Sequence, residues 1–510
     1  MALLFNSVLF IAFVNAQNPV QLQISQESQE VKISRNIYGH FSEHLGRCIY
    51  DGFWIDSSVQ VAAKDRIRLD IVNALKNIRC PLLRWPGGCF ADQYHWTDGV
   101  GPREKRPKRV NTTWGMVTED NSFGTQEFLQ LCELIGCEPY VAGNVGTGSP
   151  REMANWLEYL NFDGNSQLAN ERRANGHEKP YKVSFWGVGN ESWGCGGAMI
   201  PSYYSDQYRR YAEFCKNYPG TSLKKIASGS NVDDYNWTEV CMKNIPLHMM
   251  WGISLHFYTL AGNWQNKGSA TNFGEDEYFK AVKNSLFMNE LIEKHSAIMD
   301  KYDPEKKVSL CVDEWGIWTD VEPGTNPAFL HQQNSMRDAI IAASTLNIFN
   351  NHAERVRLAC LAQTVNVLQS LILTKGDKMI LTPTYYVFDL YKVHQDAVRL
   401  KLNFSSPAYN FGNDKIPAIS STASKDSNGV IHITLVNTDP HHGYPVSTSL
   451  SGFKSQNISG KVLTSLHVND VNTFEKPDLV KTADFKGFKR QGDQLVIELP
   501  PLSIVMLQIK

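Results

Sequence analysis

F-W-G-V-G-N-E-S, Phe185–Ser192, reads as a buried strand that emerges into a pocket. Lys182–Val188 is the strand part, with Val183, Phe185 and Val188 as strand formers. Gly187 and Gly189 allow close backbone approach near its end, and the segment finishes on an amide, Asn190, and an acid, Glu191. Much later V-S-L-C-V-D-E-W-G-I-W, Val308–Trp318, repeats this grammar with Glu314 at the equivalent place. Two acids, each ending an apolar strand, become a candidate catalytic pair if the fold brings them face to face.

Working outward from these stretches, an apolar strand followed by a helix-length amphipathic segment recurs. Expected strands are Ile37–Phe41, Leu82–Trp85, Glu138–Gly143, Lys182–Val188, Lys225–Ser228, Gly252–Tyr258, Val308–Asp313 and Arg357–Val365. Helices are expected over Val59–Ile78, Thr125–Ile135, Pro150–Leu160, Ser202–Asn217, Glu275–Met299 and His331–Asn350. Eight such alternations point to an α/β fold, a closed (β/α)8 TIM barrel over 36–395, with its site at the strand C-termini. Glu191 then ends strand four and Glu314 strand seven. From 396 to 510 the rhythm changes to recurring strands without a convincing helix, as in Val430–Asn437 and Ser503–Ile509, which predicts a C-terminal β-sandwich. Short strands over 17–35 are expected to join that sandwich.

With a formal net charge of −2, nothing electrostatic calls for nucleic acid or an anionic membrane as partner. The locally basic Arg103–Arg109 reads as a solvated loop. Residues 1–16 read as a signal peptide: Leu3–Val14 is apolar, too short to span a bilayer comfortably, and Val14-Asn15-Ala16 resembles a cleavage site. The expectation is therefore a secreted or periplasmic protein. The ten cysteines show no close metal-type pairs, and their disulfide pairing is not legible from sequence. Sequons at Asn111, Asn236, Asn403 and Asn457 are possible glycan acceptors. H-F-S-E-H, His40–His44, fits a metallopeptidase pattern, but it ends a short strand rather than lying on a helix. No metal and no cofactor is expected.

Cleavage of a glycosidic bond needs one protonated carboxyl at the leaving oxygen and one carboxylate that attacks or activates water. Glu191 and Glu314, set among aromatics suited to stacking on sugars, meet that demand. Around them stand I-Y-G-H-F-S-E-H-L-G-R-C-I-Y (Ile37–Tyr50), L-R-W-P-G-G-C-F-A-D (Leu83–Asp92) and G-V-G-N-E (Gly187–Glu191). S-L-H-F-Y (Ser254–Tyr258), V-D-E-W-G-I-W (Val312–Trp318) and L-A-Q-T-V-N-V (Leu361–Val367) follow. In content and order these motifs resemble glycoside hydrolase family 51, the retaining α-L-arabinofuranosidases.

The resemblance implies that Glu191 is the acid/base and Glu314 the nucleophile of a double displacement on terminal arabinofuranosyl residues of arabinan- or arabinoxylan-type polysaccharides or oligosaccharides. It implies sugar contacts from Glu43 and Asn190, a pair His256 and Tyr258 beside the nucleophile, and pocket walls from Trp114, Trp318 and Gln363. It also hints at a homo-oligomer. Where many members carry Asn, this chain has Cys89, whose thiol is a weak donor and acceptor, so that contact is lost or replaced. Chemistry adds that Glu191 should hold its proton through apolar surroundings and a negative Glu314, with about 5–5.5 Å between carboxyls for retention. An endo-acting β-glucanase or xylanase on the same barrel, or a carbohydrate-binding protein without turnover, are the alternatives.

Overall fold

The computed structural model describes residues 19–449 and 457–510. The segment read as a signal peptide, 1–16, lies outside the described residues.

Eight parallel strands close a barrel: β1 (Gly39–Phe41), β2 (Leu82–Trp85), β3 (Glu138–Gly143), β4 (Phe185–Val188), β5 (Lys224–Asn231), β6 (Gly252–Thr259), β7 (Ser309–Ile317) and β8 (Val356–Ala362). Closure runs through β8 against β1, with Cys360 opposite Gly39 and Leu361 opposite His40. Every residue of β2, β4 and β7 is buried. Continuous apolar runs are what parallel strands need when helices cover one face and the barrel interior the other. The helices are set by local chemistry as well as by packing. Pro150–Asn161 starts where the Ser149 side chain accepts from the Glu152 backbone N–H and a proline occupies the first turn. Thr125–Ile135 stops at Gly136, which has φ 82°.

Three expected helices differ. Val59–Ile78 is a short hairpin, Ala63–Lys64 against Ile67–Arg68, followed by a helix over Leu69–Asn77 only. Asp65 and Arg66, at φ 49° and 72°, turn the chain where a helix would have run on. Glu275–Met299 splits into Glu275–Ser285 and Phe287–Tyr302. The helix expected from His331 begins at Met336, behind a capping box in which Ser335 and Asp338 exchange hydrogen bonds.

The C-terminal part is a ten-stranded, mostly antiparallel assembly. Ile431–Asn437 lies between Ile419–Lys425 and Ser503–Ile509, and Val20–Ser25 joins it, antiparallel to Val398–Asn403 and parallel to Tyr444–Ser449. Helix Met336–Asn351 seats this layer on the barrel. It is buried on nearly every side, touching β7 on one flank and Ile419–Lys425 and Ile431–Asn437 on the other. A helix buried on nearly every side has no face to give to water, so it belongs between two layers. The barrel plus β-sandwich fold expected from the sequence is the fold observed. Among the described residues no helix is long and apolar enough to cross a membrane.

Candidate active site

At the C-terminal mouth of the barrel, Glu191 leaves β4 and Glu314 lies within β7, both largely buried, with carboxylate oxygens within 4.8 Å of one another. Glu191 takes φ 41°, a conformation uncommon outside glycine, so its backbone is held by its surroundings rather than by preference. His256, on β6, stands between the two acids. Its Nδ1 is 2.8 Å from Glu191 Oε1 and 3.6 Å from Glu314 Oε2, while Nε2 is 3.1 Å from Asp313 Oδ1.

Adjacent strand residues normally point to opposite faces, yet Asp313 and Glu314 both reach this site. Register shifts in the pairing of β7 with β6 and with β8 supply the irregularity that allows it. Glu314 accepts at Oε1 from Arg84 Nη1 (2.8 Å) and at Oε2 from the Tyr258 hydroxyl (2.8 Å). Arg84 also donates to Asn190 Oδ1, and Asp313 accepts from the Tyr140 hydroxyl at 2.7 Å.

The electrostatics favour a proton on Glu191. Burial pushes the Glu191 carboxyl above its ordinary range; the His256 hydrogen bond opposes this and the negative Glu314 reinforces it. Burial alone would pull the His256 imidazole down, but Glu314, Asp313 and Glu191 outweigh it and raise it to about 10. A protonated imidazole has no lone pair to give, so the Glu191–His256–Glu314 grouping does not suit a metal ion although its ligand atoms are close enough. Glu314 instead takes a donor at each oxygen, Arg84 and Tyr258, and serves as an acceptor.

A second cluster lies one glycine away. Glu43, buried, accepts from the Phe90 N–H (3.0 Å), Trp114 Nε1 (2.9 Å) and Gln363 Nε2 (3.0 Å). Burial and the charge of Glu314 raise it to about 7. Gly87 and Gly88 join the clusters: a Cβ on Gly87 would meet Glu43 Oε1 at 2.9 Å, and one on Gly88 would meet Glu314 Oε1 at 2.7 Å. Within these clusters two buried amide atoms have no protein partner, Asn190 Nδ2 and Gln363 Oε1. An unpaired buried donor and acceptor beside these acids are free to bond polar groups of a ligand. Trp318 packs edge-on against Tyr258 at 5.0 Å and continues the wall outward.

Every candidate catalytic or sugar-contacting residue named from the sequence lies in or beside these clusters, with one change of chemistry. Cys89 is no free thiol: it is bridged to Cys195, and both sulfurs contact Glu191 Oε2, at 3.8 and 3.4 Å. Bridged sulfurs carry no proton, so these are van der Waals contacts and not hydrogen bonds. They also rule out Cys89 as a metal ligand or nucleophile in this state. Arg84, Asp313 and Asp92 were missed. A charged residue inside each of two otherwise apolar strands was the available signal for the first two. Asp92 accepts from the Val145, Gly146 and Asn190 N–H groups at 2.7, 2.8 and 3.0 Å, tying three barrel loops together.

The zinc-like histidines resolve differently. His44 uses both nitrogens, 2.8 Å from Glu119 Oε2 and accepting from Trp85 Nε1 at 3.0 Å, and His40 is buried against Phe388, lowered to about 3 by burial. Asn111 is buried and donates to the His44 carbonyl, so that sequon is closed to a glycan. Arg106, expected on a solvated loop, is buried against Glu127.

Comparison with known proteins agrees with this geometry. Residues 74–268 match the family model of the α-L-arabinofuranosidase 1 domain, and 313–503 that of the α-L-arabinofuranosidase C-terminal domain. An intracellular exo-α-L-arabinofuranosidase of Bacteroides ovatus is 48% identical, covering 98% of this chain and 97% of that protein. The crystal structure of the family 51 arabinofuranosidase of Xanthomonas axonopodis pv. citri superposes with a TM-score of 0.94 at 48% identity, over 96% of this chain and 100% of that one. An α-L-arabinofuranosidase of Thermotoga maritima, solved as an arabinose complex, gives 0.85 at 32% identity, over 96% and 99%.

The Bacteroides relative corrects one expectation. A protein alike from end to end and named intracellular speaks against the secreted or periplasmic location read from Leu3–Val14. An apolar run and the cleavage-like Val14-Asn15-Ala16 had carried that reading, without a basic residue ahead of them. The fold, the paired acids and these matches together establish that the chain belongs to glycoside hydrolase family 51, the α-L-arabinofuranosidases.

Proposed function

We propose that this enzyme releases terminal α-L-arabinofuranosyl residues from arabinan- or arabinoxylan-type saccharides with retention of configuration. The observation that carries the proposal is the pair of unequal carboxyls bridged by His256. Glu191, raised by burial, is the proton donor; Oε1 is occupied by the imidazole, which leaves Oε2 for the transferable proton. Glu314, fixed at both oxygens by Arg84 and Tyr258, attacks the anomeric carbon. The glycosidic C–O bond breaks as Glu191 protonates the leaving oxygen, giving an arabinosyl ester on Glu314. Glu191, now a carboxylate, takes a proton from water, and that water displaces Glu314 from the opposite face. Two inversions give net retention, and oxygens within 4.8 Å suit direct attack better than a water-wide gap.

Asn190 Nδ2 and Gln363 Oε1, unpaired in the protein, would take sugar hydroxyls, with Glu43 beside them. Support for exo-action comes from the Bacteroides ovatus relative, which is named an exo-α-L-arabinofuranosidase. The experiment is Glu314→Ala assayed with an aryl α-L-arabinofuranoside and azide. The expected result is loss of hydrolysis, with azide restoring turnover to an arabinosyl azide of inverted configuration. Full activity without azide would remove Glu314 from the mechanism.

A further inference from the structure

The acid Glu191 is walled on its free side by sulfur. Cys89 follows β2 in the P-G-G-C turn, and Cys195 lies four residues beyond Glu191, 106 residues along the chain. Their bridge therefore ties the β2 loop to the turn that carries the acid. That turn folds back on Glu191 itself: the Gly194 and Gly196 N–H groups both donate to the Glu191 carbonyl, at 2.7 and 3.0 Å. Ser192 is anchored to Ser228 Oγ and the Trp193 indole to the Gly229 carbonyl, both on β5. Beyond those anchors the bridge is the tie that fixes the tip.

Cys195 is exposed and Cys89 half-buried, whereas the other eight cysteines are buried, apart from the half-buried Cys137. A reductant arriving from solvent meets this pair first.

We propose that the Cys89–Cys195 bridge is a redox-responsive positioning device for Glu191, and that opening it lowers the enzyme's capacity to protonate a poor leaving group. The inference rests on Glu191 being the acid/base. The opening step is thiol–disulfide exchange with a dithiol. One thiolate of the reductant attacks the exposed Cys195 sulfur, the S–S bond breaks, and Cys89 leaves as a thiolate that takes up a proton. The second thiol of the reductant then closes its own disulfide and releases Cys195 as a thiol. The reductant is oxidised by two electrons and the protein pair reduced by two.

Two consequences follow for Oε2. The bridge, whose sulfurs lie 3.8 and 3.4 Å from Oε2, is an apolar neighbour with no proton, whereas thiols in its place are weak S–H donors that favour the ionised carboxyl. The other groups facing Glu191, namely His256, Glu314 and Arg84, belong to barrel strands and stay in place. The direction is therefore set by the sulfurs: the acid lets go of its proton at lower pH once the bridge opens. The freed tip also loosens the geometry of proton delivery.

The test uses the whole chain, oxidised and then treated with dithiothreitol, with peptide mapping to verify that Cys89 and Cys195 have changed state. kcat/KM is followed against pH on arabinobiose, whose leaving sugar needs a proton, and on a dinitrophenyl arabinofuranoside, which leaves without one. Opening should cost roughly 5–50-fold on arabinobiose, a part of what a general acid supplies, and less than about 2-fold on the dinitrophenyl substrate. The alkaline limb on arabinobiose should move to lower pH. A C89S/C195S double variant should match the reduced enzyme and ignore dithiothreitol. An unmoved alkaline limb, or equal losses on both substrates, would overturn the proposal, and the wild-type comparison decides even if the variant fails to fold. If Glu191 were not the acid, oxidised Glu191→Ala would lose both substrates equally. A failure confined to the bridge would leave that variant's selectivity intact.

Discussion

Replacing Glu191 by Ala removes one carboxyl and leaves the rest of the pocket standing, because Asn190 is held by Arg84 and by Asp92 independently of it. The size of the effect follows from what the carboxyl does. Positioned general acids contribute about 10²–10⁴-fold, roughly 2.7–5.4 kcal/mol at 1.36 kcal/mol per decade. Burial keeps this group protonated beyond the ordinary carboxylate range, and His256 locks Oε1, so the upper half of that range applies. On arabinobiose kcat/KM should therefore fall by about 10³–10⁴. On a dinitrophenyl arabinofuranoside, whose leaving group departs as a stable anion, kcat/KM reports the first displacement alone and should fall less than about 10-fold. Turnover would stall at the arabinosyl ester for want of a base, giving a burst of dinitrophenolate. Azide should relieve the stall and yield an azide of retained configuration. Equal losses on the two substrates, with no burst, would refute the assignment of Glu191.

Trp114→Phe keeps an aromatic ring, smaller than the indole, and deletes the donor to Glu43, so KM for arabinosides should rise by roughly 5-fold with kcat little changed, about the worth of one hydrogen bond. For kcat/KM of the wild type, the alkaline limb should lie above the ordinary carboxylate range, since activity is lost only as the raised Glu191 gives up its proton; a limb near pH 4.5 would contradict the burial argument. Glu43 is raised to about 7, so the folded state binds its proton more tightly than the unfolded chain. That contribution is complete below pH ~4.5 and is lost as pH rises towards 7, up to about 3 kcal/mol. Glu43→Gln, which does not titrate, should therefore lose less Tm between pH 5 and 8 than the wild type does, by calorimetry.

The barrel was legible because most of its strands are apolar runs set off by helix-length segments, and Glu138–Gly143 was bounded correctly to the residue. The two acids were legible for the same reason. Other features depend on geometry that no local pattern encodes. Asp313 and Glu314 share a face only because the pairing of β7 slips, which one strand's sequence does not record. The Cys89–Cys195 pair joins loops 106 residues apart. Val59–Ile78 looked helical by its apolar spacing, and the turn at Asp65-Arg66, without glycine or proline, gave no warning. In the sandwich, Ile419–Lys425 is almost wholly small and polar and carries little strand signal, whereas Val398–Asn403 alternates apolar with polar residues and was missed all the same.

The account turns on Glu314 as the residue that becomes covalently attached to the sugar. Incubating the enzyme with a slow, mechanism-based arabinofuranosyl reagent, digesting it, and sequencing the labelled peptide by mass spectrometry tests this directly. The label should sit on Glu314, within V-D-E-W-G-I-W, and should be absent from Glu314→Ala. A label on Glu191, Glu43 or Asp313, or hydrolysis with inversion and no labelled peptide, would contradict it.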